Sequence, residues 1–370
     1  MARIWLVRGL ADSVDGVGDY CVHLADALAE RGHQVSVTAL DWRRSGRLGA
    51  IRSLLSRRGA SSPTWTVLQH THLSWSRRGF PLFAVLIAFV LRRRKMRLAV
   101  VIHDPLPFGG SRVRDRFRRN TQISVMRLLI WSCDVAMVTV PLQVIPWLRH
   151  WSRHVEYVPV GSNINCLPGT ARGESRLFEV VVFGVSMTRR RELVQIAEVS
   201  RWLADAIGRF RLSVVGQGSD QAAVVLRDLL VGTHDVELQT TGVLSEPEVA
   251  SRLARADAAL FVRDGGISSR RGSALAALAA GLPVVGYMGP ETSSPLSEAG
   301  VVLTRPDDSA AAASALAQIA HDPDFAQKLS QSSIHCYRRY FAWPVVAEQM
   351  ERALEKTEER ASSSPVMGRG

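Results

Sequence analysis

At 370 residues, 46% of them hydrophobic, the chain is long enough to bury a large core, and its length favours two domains over one. Its four cysteines (Cys21, Cys133, Cys166, Cys336) are widely spaced with no Cys-x-x-Cys pair, so no zinc site or disulfide framework is in view and a reducing cytoplasm is the expected location. The net charge of +12 gathers in Arg43–Gly59, Leu91–Arg97 and Arg112–Asn120, which reads either as an overall preference for arginine on solvated helices or as a face for an anionic partner; nucleic acid is not the expected one, because no helix-turn-helix, zinc finger or RNA-binding aromatic signature accompanies the charge.

The N-terminal "MARIWLVRGLAD" has too short an apolar core for a secretory signal and reads as a first strand. "RIWLVRGL", "GDYCVHLADALAERG" and "HQVSVTAL" follow as strand, helix and strand, the helix apolar at Val22, Leu24, Ala25 and Leu28. "TWTVLQHT", "RLAVVIHD", "VAMVTV" and "VEYVPVG" continue a parallel-sheet pattern to about residue 161. Between them "FPLFAVLIAFVLRRRKMR" (Phe80–Arg97) joins a short apolar run to a basic cluster. That suits peripheral contact with an anionic membrane, with a helix buried under the sheet as the competing reading; no run is long enough to span a membrane.

A polar stretch, Cys166–Leu177, reads as an interdomain linker, after which the alternation restarts with "FEVVVFG", a helix from Glu192, "RLSVVGQG", a helix near Asp220–Leu230, "VELQTTG", "EPEVASRLARA", "AALFVRD", an Ala/Leu helix and "LPVVGYMG". The predicted fold class is α/β, two doubly wound Rossmann-like domains facing a cleft. The predicted boundaries are 1–165, a linker over 166–177, a second domain over 178–340, a helix over 341–360 and a disordered tail over 361–370.

Ligands bind such sheets beyond the carboxyl ends of the strands, so the loops there carry the functional argument. After the first strand, Gly16 and Gly18 allow close backbone approach ahead of a helix N-terminus. His103 closes "RLAVVIHD", and Arg189, Arg190 and Arg191 lead into a helix after Gly184. In "GGISSRRGSALAALAAGLPVVG", Ser268, Ser269, Arg270, Arg271, Gly272 and Ser273 precede or open the Ala/Leu helix, which Gly281 and Pro283 terminate. Guanidiniums added to the positive end of a helix dipole want an anion, and two arginine loops facing a glycine loop describe a diphosphate cradle. Asp264 is expected to cap or orient the arginine turn. No carboxylate pair argues for glycoside hydrolysis.

"GVGDYCVHLADALAERGHQVSV", "VVIHDP", "VPVGSNI", "FVRDGGISSRRGSALAALAAGLPVV" and "FAWPVVAEQM" occur in the order in which similar motifs occur in family 4 retaining glycosyltransferases, which have the GT-B fold, and the resemblance covers nearly the whole chain. It implies a nucleotide-sugar donor held mainly by the C-terminal domain and a saccharide or lipid-linked saccharide acceptor held mainly by the N-terminal one. It further implies hexosyl transfer with retention and no metal or other cofactor, in polysaccharide or glycolipid synthesis, and a last helix that crosses back to the first domain. On this resemblance His103 contacts the donor sugar, Gly16 and Gly18 lie near donor phosphates and acceptor, and Arg190 binds the diphosphate, a part that Arg189 or Arg191 could also take.

Two departures stand out. Val185 occupies the place of the arginine that usually follows the strand-end glycine, and Ser268 and Ala276 stand where the family has a pair of glutamates. Some branches of the family resemble this chain in carrying a Ser-x-Arg-Arg turn there. The departures keep open a nucleotide-sugar epimerase or a silent relative of the same fold, and the charge keeps open a basic membrane-surface protein.

Overall fold

The computed structural model describes residues 1–9, 16–56, 63–93, 96–149, 154–166, 176–184 and 190–363. They divide into two units, Met1–Val160 with Trp343–Gly370, and Gly161–Ala342. The expected linker falls near this boundary, but its residues 167–175 lie outside the described residues.

The first unit alternates β1 (Arg3–Gly9), α1 (Gly16–Glu30), β2 (Gln34–Leu40), α2 (Trp42–Ser56), β3 (Trp65–His70), α3 (Leu82–Arg93), β4 (Arg97–Ile102), α4 (Val113–Ser132), β5 (Val135–Val138) and β6 (Val155–Tyr157). All pairings are parallel, in the order β2-β1-β3-β4-β5-β6. Strands such as "RLAVVI" are buried along nearly their whole length, as a sheet covered by helices on both faces requires. Trp5, Val7, Leu68, Leu98, Val100 and Ile102 join one cluster with buried residues of α2, α3 and α4. Ile4 and Leu6 alternate to the other face. The run "LFAVLIAFVLRR" is therefore a core helix on its inner side, with Phe83, Ala84, Ile87, Ala88 and Leu91 buried, while Leu82, Leu86 and Phe89 remain exposed.

The second unit runs β7 (Glu179–Phe183), α5 (Arg190–Ile207), β8 (Phe210–Val215), α6 (Ser219–Leu229), β9 (Val236–Thr240), α7 (Glu246–Arg255), β10 (Ala258–Phe261), α8 (Gly272–Ala279), β11 (Val284–Tyr287), β12 (Val301–Thr304), α9 (Ser309–His321) and α10 (Pro323–Cys336). Its sheet is also wholly parallel, ordered β12-β11-β10-β7-β8-β9. The sequence reading did not pick out α2, α4, β12, α9 or α10. In α8 the residues Ala274 to Ala279 are all buried, which is why the helix can be Ala and Leu on every side. Gly281, at φ +71°, ends it with the paired bonds Gly281 N–H to Leu278 O and Leu282 N–H to Ala277 O, and an added Cβ would lie 2.8 Å from Ile334 Cδ1.

The final helix, α11 (Trp343–Ser363), belongs to the first unit and packs on α1. Val346, Ala347, Met350, Ala353 and Leu354 form its buried stripe. Around that stripe, Arg31 and His33 bond Glu351, Trp65 Nε1 donates to Glu358 (2.9 Å), and Lys356 bonds Glu156 (2.7 Å). The helix continues to Ser363, so residues 361–363 are not the expected tail, and 364–370 lie outside the described residues. Truncating Met350 to Ala should cost about 2–5 kcal/mol, read as a shift of the urea midpoint, whereas Arg352→Ala on the exposed side should stay within about 0.5 kcal/mol. Equal effects would mean that α11 is not held by its apolar stripe.

Candidate functional site

In the second unit the strand order reverses between β7 and β10, because the chain builds outward from β7 through β8 and β9 and then returns to add β10, β11 and β12 on the other side. Connections leave the sheet in opposite directions at such a point, and a crevice opens beyond the strand ends. Gly184 (φ +80°) follows β7, and its carbonyl accepts from Arg263 Nη2, just after β10, at 2.5 Å. A Cβ on Gly184 would lie 3.5 Å from Ser273 Oγ in the first turn of α8. The end of β7, the loop after β10 and the N-terminus of α8 thus meet at the switch point.

The loop after β10 is held by the loop after β11. Ile267 N–H donates to Tyr287 O (3.0 Å) and Glu291 N–H to Gly265 O (2.9 Å). At Gly266, with φ +79°, a Cβ would stand 2.3 Å from Thr292 Oγ1 and 2.4 Å from Gly289 N, so two backbones touch where no side chain fits. Arg270 completes the brace with a two-pronged bond to Glu291, Nε to Oε2 and Nη2 to Oε1, both 2.9 Å. Its fork is engaged by Glu291, which assigns Arg270 to holding the turn. Asp264, expected to steady this turn, instead lies 3.6 Å from Arg191.

This brace presents two buried hydroxyls. Ser268 is 0% and Ser269 3% exposed, and neither Oγ has a hydrogen-bond partner among the described residues. Ala274 and Leu275 N–H groups both return to Arg271 O, which leaves the Gly272 and Ser273 N–H groups at the start of α8 outside the turn's own bonding. Among the described residues nothing lies within 4 Å of a Cβ placed on Gly272. Arg271 is half-buried at the N-cap. Positive dipole end, two hydroxyls and a guanidinium make an anion-accepting surface.

The other predicted residues scatter. Arg190 starts α5 and is exposed; Arg191 pairs with Asp307 at 2.5 Å; Arg189 lies outside the described residues. Gly16, exposed, and Gly18, buried, form the first turn of α1, and the loop ahead of them, residues 10–15, is outside the described residues.

In the first unit the order reverses between β1 and β3, and polar groups crowd the adjacent strand ends. His103, 9% exposed, shares a hydrogen bond with Gln69 (Nε2 to Oε1, 2.8 Å), while its carbonyl accepts from Thr139 Oγ1 (2.9 Å). Tyr20 meets the ring edge-on at 4.6 Å and Trp343 at 5.3 Å. His70 and His72 are both fully buried, their rings 5.6 Å apart. Neither nitrogen of His70, nor Gln69 Nε2, nor the Tyr20 hydroxyl has a partner among the described residues. Orphaned buried polar atoms cost free energy unless something binds them.

Sequence reading singled out His103 and missed this surrounding set. The signal was "QHTH" ending a strand, where polar residues interrupt a buried run. No three His, Cys, Asp or Glu side chains among the described residues are placed to hold a metal ion. Burial lowers His103 to about 4, against an opposing pull from Asp104, and burial with the neighbouring His72 and His103 rings holds His70 well below the ordinary range. Both rings are neutral at pH 7.

No protein-family profile matches the chain, and no curated protein matches it in sequence. Solved structures do match. Anabaena HepE, solved in complex with UDP and glucose and also with UDP-glucose, is 13% identical with a TM-score of 0.67, over 96% of this chain and 100% of that one. A glycosyltransferase from Rickettsia africae is 12% identical with a TM-score of 0.66, over 98% and 99%. The fold is GT-B. A Listeria monocytogenes protein provisionally described as a UDP-N-acetylglucosamine 2-epimerase also matches this GT-B chain, at 11% identity and a TM-score of 0.62 over 97% of each.

The neutral histidines give a testable pH dependence. Below the ordinary histidine pKa of about 6.5 the unfolded chain takes up protons that the folded one refuses, so stability is unaffected by these rings above pH 6.5 and falls below it, for His103 until pH reaches about 4. The urea midpoint should fall across that window, and His103→Gln should flatten the fall. A slope in His103→Gln as steep as the wild-type slope would contradict the assignment.

Proposed function

We infer that the chain is a glycosyltransferase taking a nucleotide-sugar donor. The observation that carries the reading is the pair of buried, unpartnered serine hydroxyls beside the N-terminus of α8, at the switch point of the second sheet. UDP and UDP-glucose bound to a HepE of the same fold support a donor of that class. Arg271, the Gly272 and Ser273 N–H groups and the Ser268 and Ser269 hydroxyls are the proposed contacts for the diphosphate and the sugar attached to it, with Gly184 leaving room for them. Arg190, Arg189 or Arg191 adds a further cation. His103 and its polar neighbours supply contacts to sugar hydroxyls in the first unit, and Gly16 and Gly18 the close backbone approach.

Transfer with retention needs no side-chain base. As the bond from the anomeric carbon to the diphosphate oxygen breaks, an acceptor hydroxyl forms its bond on the same face, and its proton passes to the departing diphosphate oxygen. Fixed N–H groups and a guanidinium stabilise the charge that grows there. Polysaccharide or glycolipid synthesis at the cytoplasmic side is the proposed setting. The epimerase reading has one specific support, the Listeria neighbour. It predicts conversion of a nucleotide sugar with no acceptor present.

A thermal-shift series with nucleoside diphosphates tests the donor site, since a ligand at 100 times its Kd stabilises by about 2.7 kcal/mol. Arg271→Ala should cost about ten- to a hundredfold in catalytic efficiency, Lys rescuing only in part. Arg270→Ala should instead lower the Tm by leaving Glu291 unpaired. If the double substitution Ser268→Val, Arg271→Ala binds UDP as wild type does, the donor site lies elsewhere.

A second measurement concerns His103. Its ring is built into buried contacts, so His103→Ala is expected to reduce both stability and turnover. His103→Gln, which keeps a hydrogen-bonding group for Gln69, should recover more of the stability than of the turnover. Recovery of both together would make the histidine structural.

A further inference from the structure

Charge in the first unit is sorted between the two faces of its sheet. The layer α2, α3 and α4 carries eleven arginines against one acidic residue, Asp115, which bonds Arg118 at 2.9 Å. The helices α1 and α11, which pack on each other apart from that layer's core cluster, carry eight Asp or Glu against three Lys or Arg. An overall preference for arginine would load both sets alike. It does not, since α1 contains no lysine or arginine at all.

The basic layer is also apolar on its outside. Along α3, Leu82, Leu86 and Phe89 recur at spacings of four and three, so they form one stripe, and Phe89 is 52% exposed although its neighbours Ala88 and Ile87 are fully buried. Arg93 continues the stripe, its guanidinium 4.6 Å from the Phe89 ring. On α4, Phe117 is 66% exposed, with Arg114, Arg116 and Arg119 exposed around it, and its ring lies 5.8 Å from Phe80 at the entrance to α3. An aromatic contact therefore bridges the entrance of α3 and α4, and guanidiniums are exposed on both helices. Large side chains exposed in this pattern are not needed by the core, which each helix already fills with its other side.

We propose that the outer face of α3 and α4 docks the protein on an anionic lipid bilayer. Leu82, Leu86, Phe89 and Phe117 enter the level of the headgroups while Arg93, Arg114, Arg116 and Arg119 meet the lipid phosphates. Charge complementarity selects an anionic surface. The interleaved aliphatic and aromatic stripe selects a bilayer over a nucleic acid, whose phosphate backbone offers nothing to Leu86 or Phe89. No helix among the described residues is long and apolar enough to cross a membrane, so the contact is an interfacial one. It is separate from donor binding in the second unit, and its failure would leave that reading untouched.

The test is cosedimentation of the full chain with vesicles of phosphatidylcholine alone and of phosphatidylcholine mixed with phosphatidylglycerol. Binding to the anionic vesicles and release by salt are expected, because screening shortens the reach of the arginines to a few ångströms. Replacing Arg114, Arg116 and Arg119 by Gln should weaken partitioning by about a hundredfold, about fivefold for each charge. A control that removes Arg209, Arg227 and Arg305 of the second unit should leave it unchanged. Leu86→Ser with Phe89→Ser should weaken binding and leave the Tm near wild type, since both side chains face outward.

Equal binding to neutral vesicles would overturn the proposal, as would an equal loss in the control. So would duplex DNA binding that depends on the α4 arginines while the Leu86 and Phe89 substitutions change nothing in either assay.

Discussion

The second unit's candidate site depends on one close contact, the backbone of Gly265 and Gly266 lying against that of Gly289. A strand end followed by a helix needs a turn, and a turn ten residues long would wander if only its own bonds held it. Here the loop after β11 clamps it, through Ile267 to Tyr287, Glu291 to Gly265 and the fork of Arg270 on Glu291. A side chain at Gly266 or Gly289 would force the loops apart by more than an ångström, since the nearest backbone atoms would be at 2.4–2.5 Å. Everything proposed for Ser268, Ser269 and Arg271 presupposes that clamp.

The clamp also explains how the hydroxyls remain without partners. Buried serines ordinarily turn to a nearby carbonyl, and in this chain Ser200, Ser333 and Ser162 do so. Ser268 and Ser269 are fixed in a turn in which Ser268 O already accepts from Arg271, and Arg271 O from Ala274 and Leu275. Rigid supports of this kind hold polar groups ready for a ligand and spare the ligand the cost of ordering them. The first unit shows a parallel arrangement, with Gln69 and His70 at the end of the fully buried β3, and Tyr20 on α1, holding unsatisfied polar atoms. In both units these groups stand where the strand order reverses, which is where a doubly wound sheet leaves room.

Two carboxylates, Glu179 at the start of β7 and Glu291 in the loop after β11, show what a group with work inside the fold looks like. Glu179 is 2% exposed, yet Ser213 donates to it at 2.6 Å and Arg176, Arg211 and Arg252 lie within 3.7 Å, so it is fully occupied and structural. Glu291 is likewise committed, to Arg270. The orphaned groups have no such engagement, and that contrast separates candidate ligand contacts from architecture more sharply than residue type does.

Much of this was legible from the amino-acid sequence. Runs such as "RLAVVI" and "EVVVF", separated by helical stretches, determine a parallel α/β chain in two halves, because only strands buried on both faces tolerate unbroken apolar runs. Gly281 announced its helix end, and the strand-end loops, with His103 and the Ser-Ser-Arg-Arg turn among them, were identifiable as the places for chemistry. What the sequence could not decide was which neighbour each side chain meets across long separations. Arg270 and Arg271 are equivalent in a string of letters. Only the tertiary structure gives one of them to Glu291, twenty-one residues on, and leaves the other beside a helix N-terminus. Nor could periodicity show that the apolar run of α3 is core on one side and exposed on the other, since both faces of that helix are written in the same residues; packing against the sheet decides which of them face water.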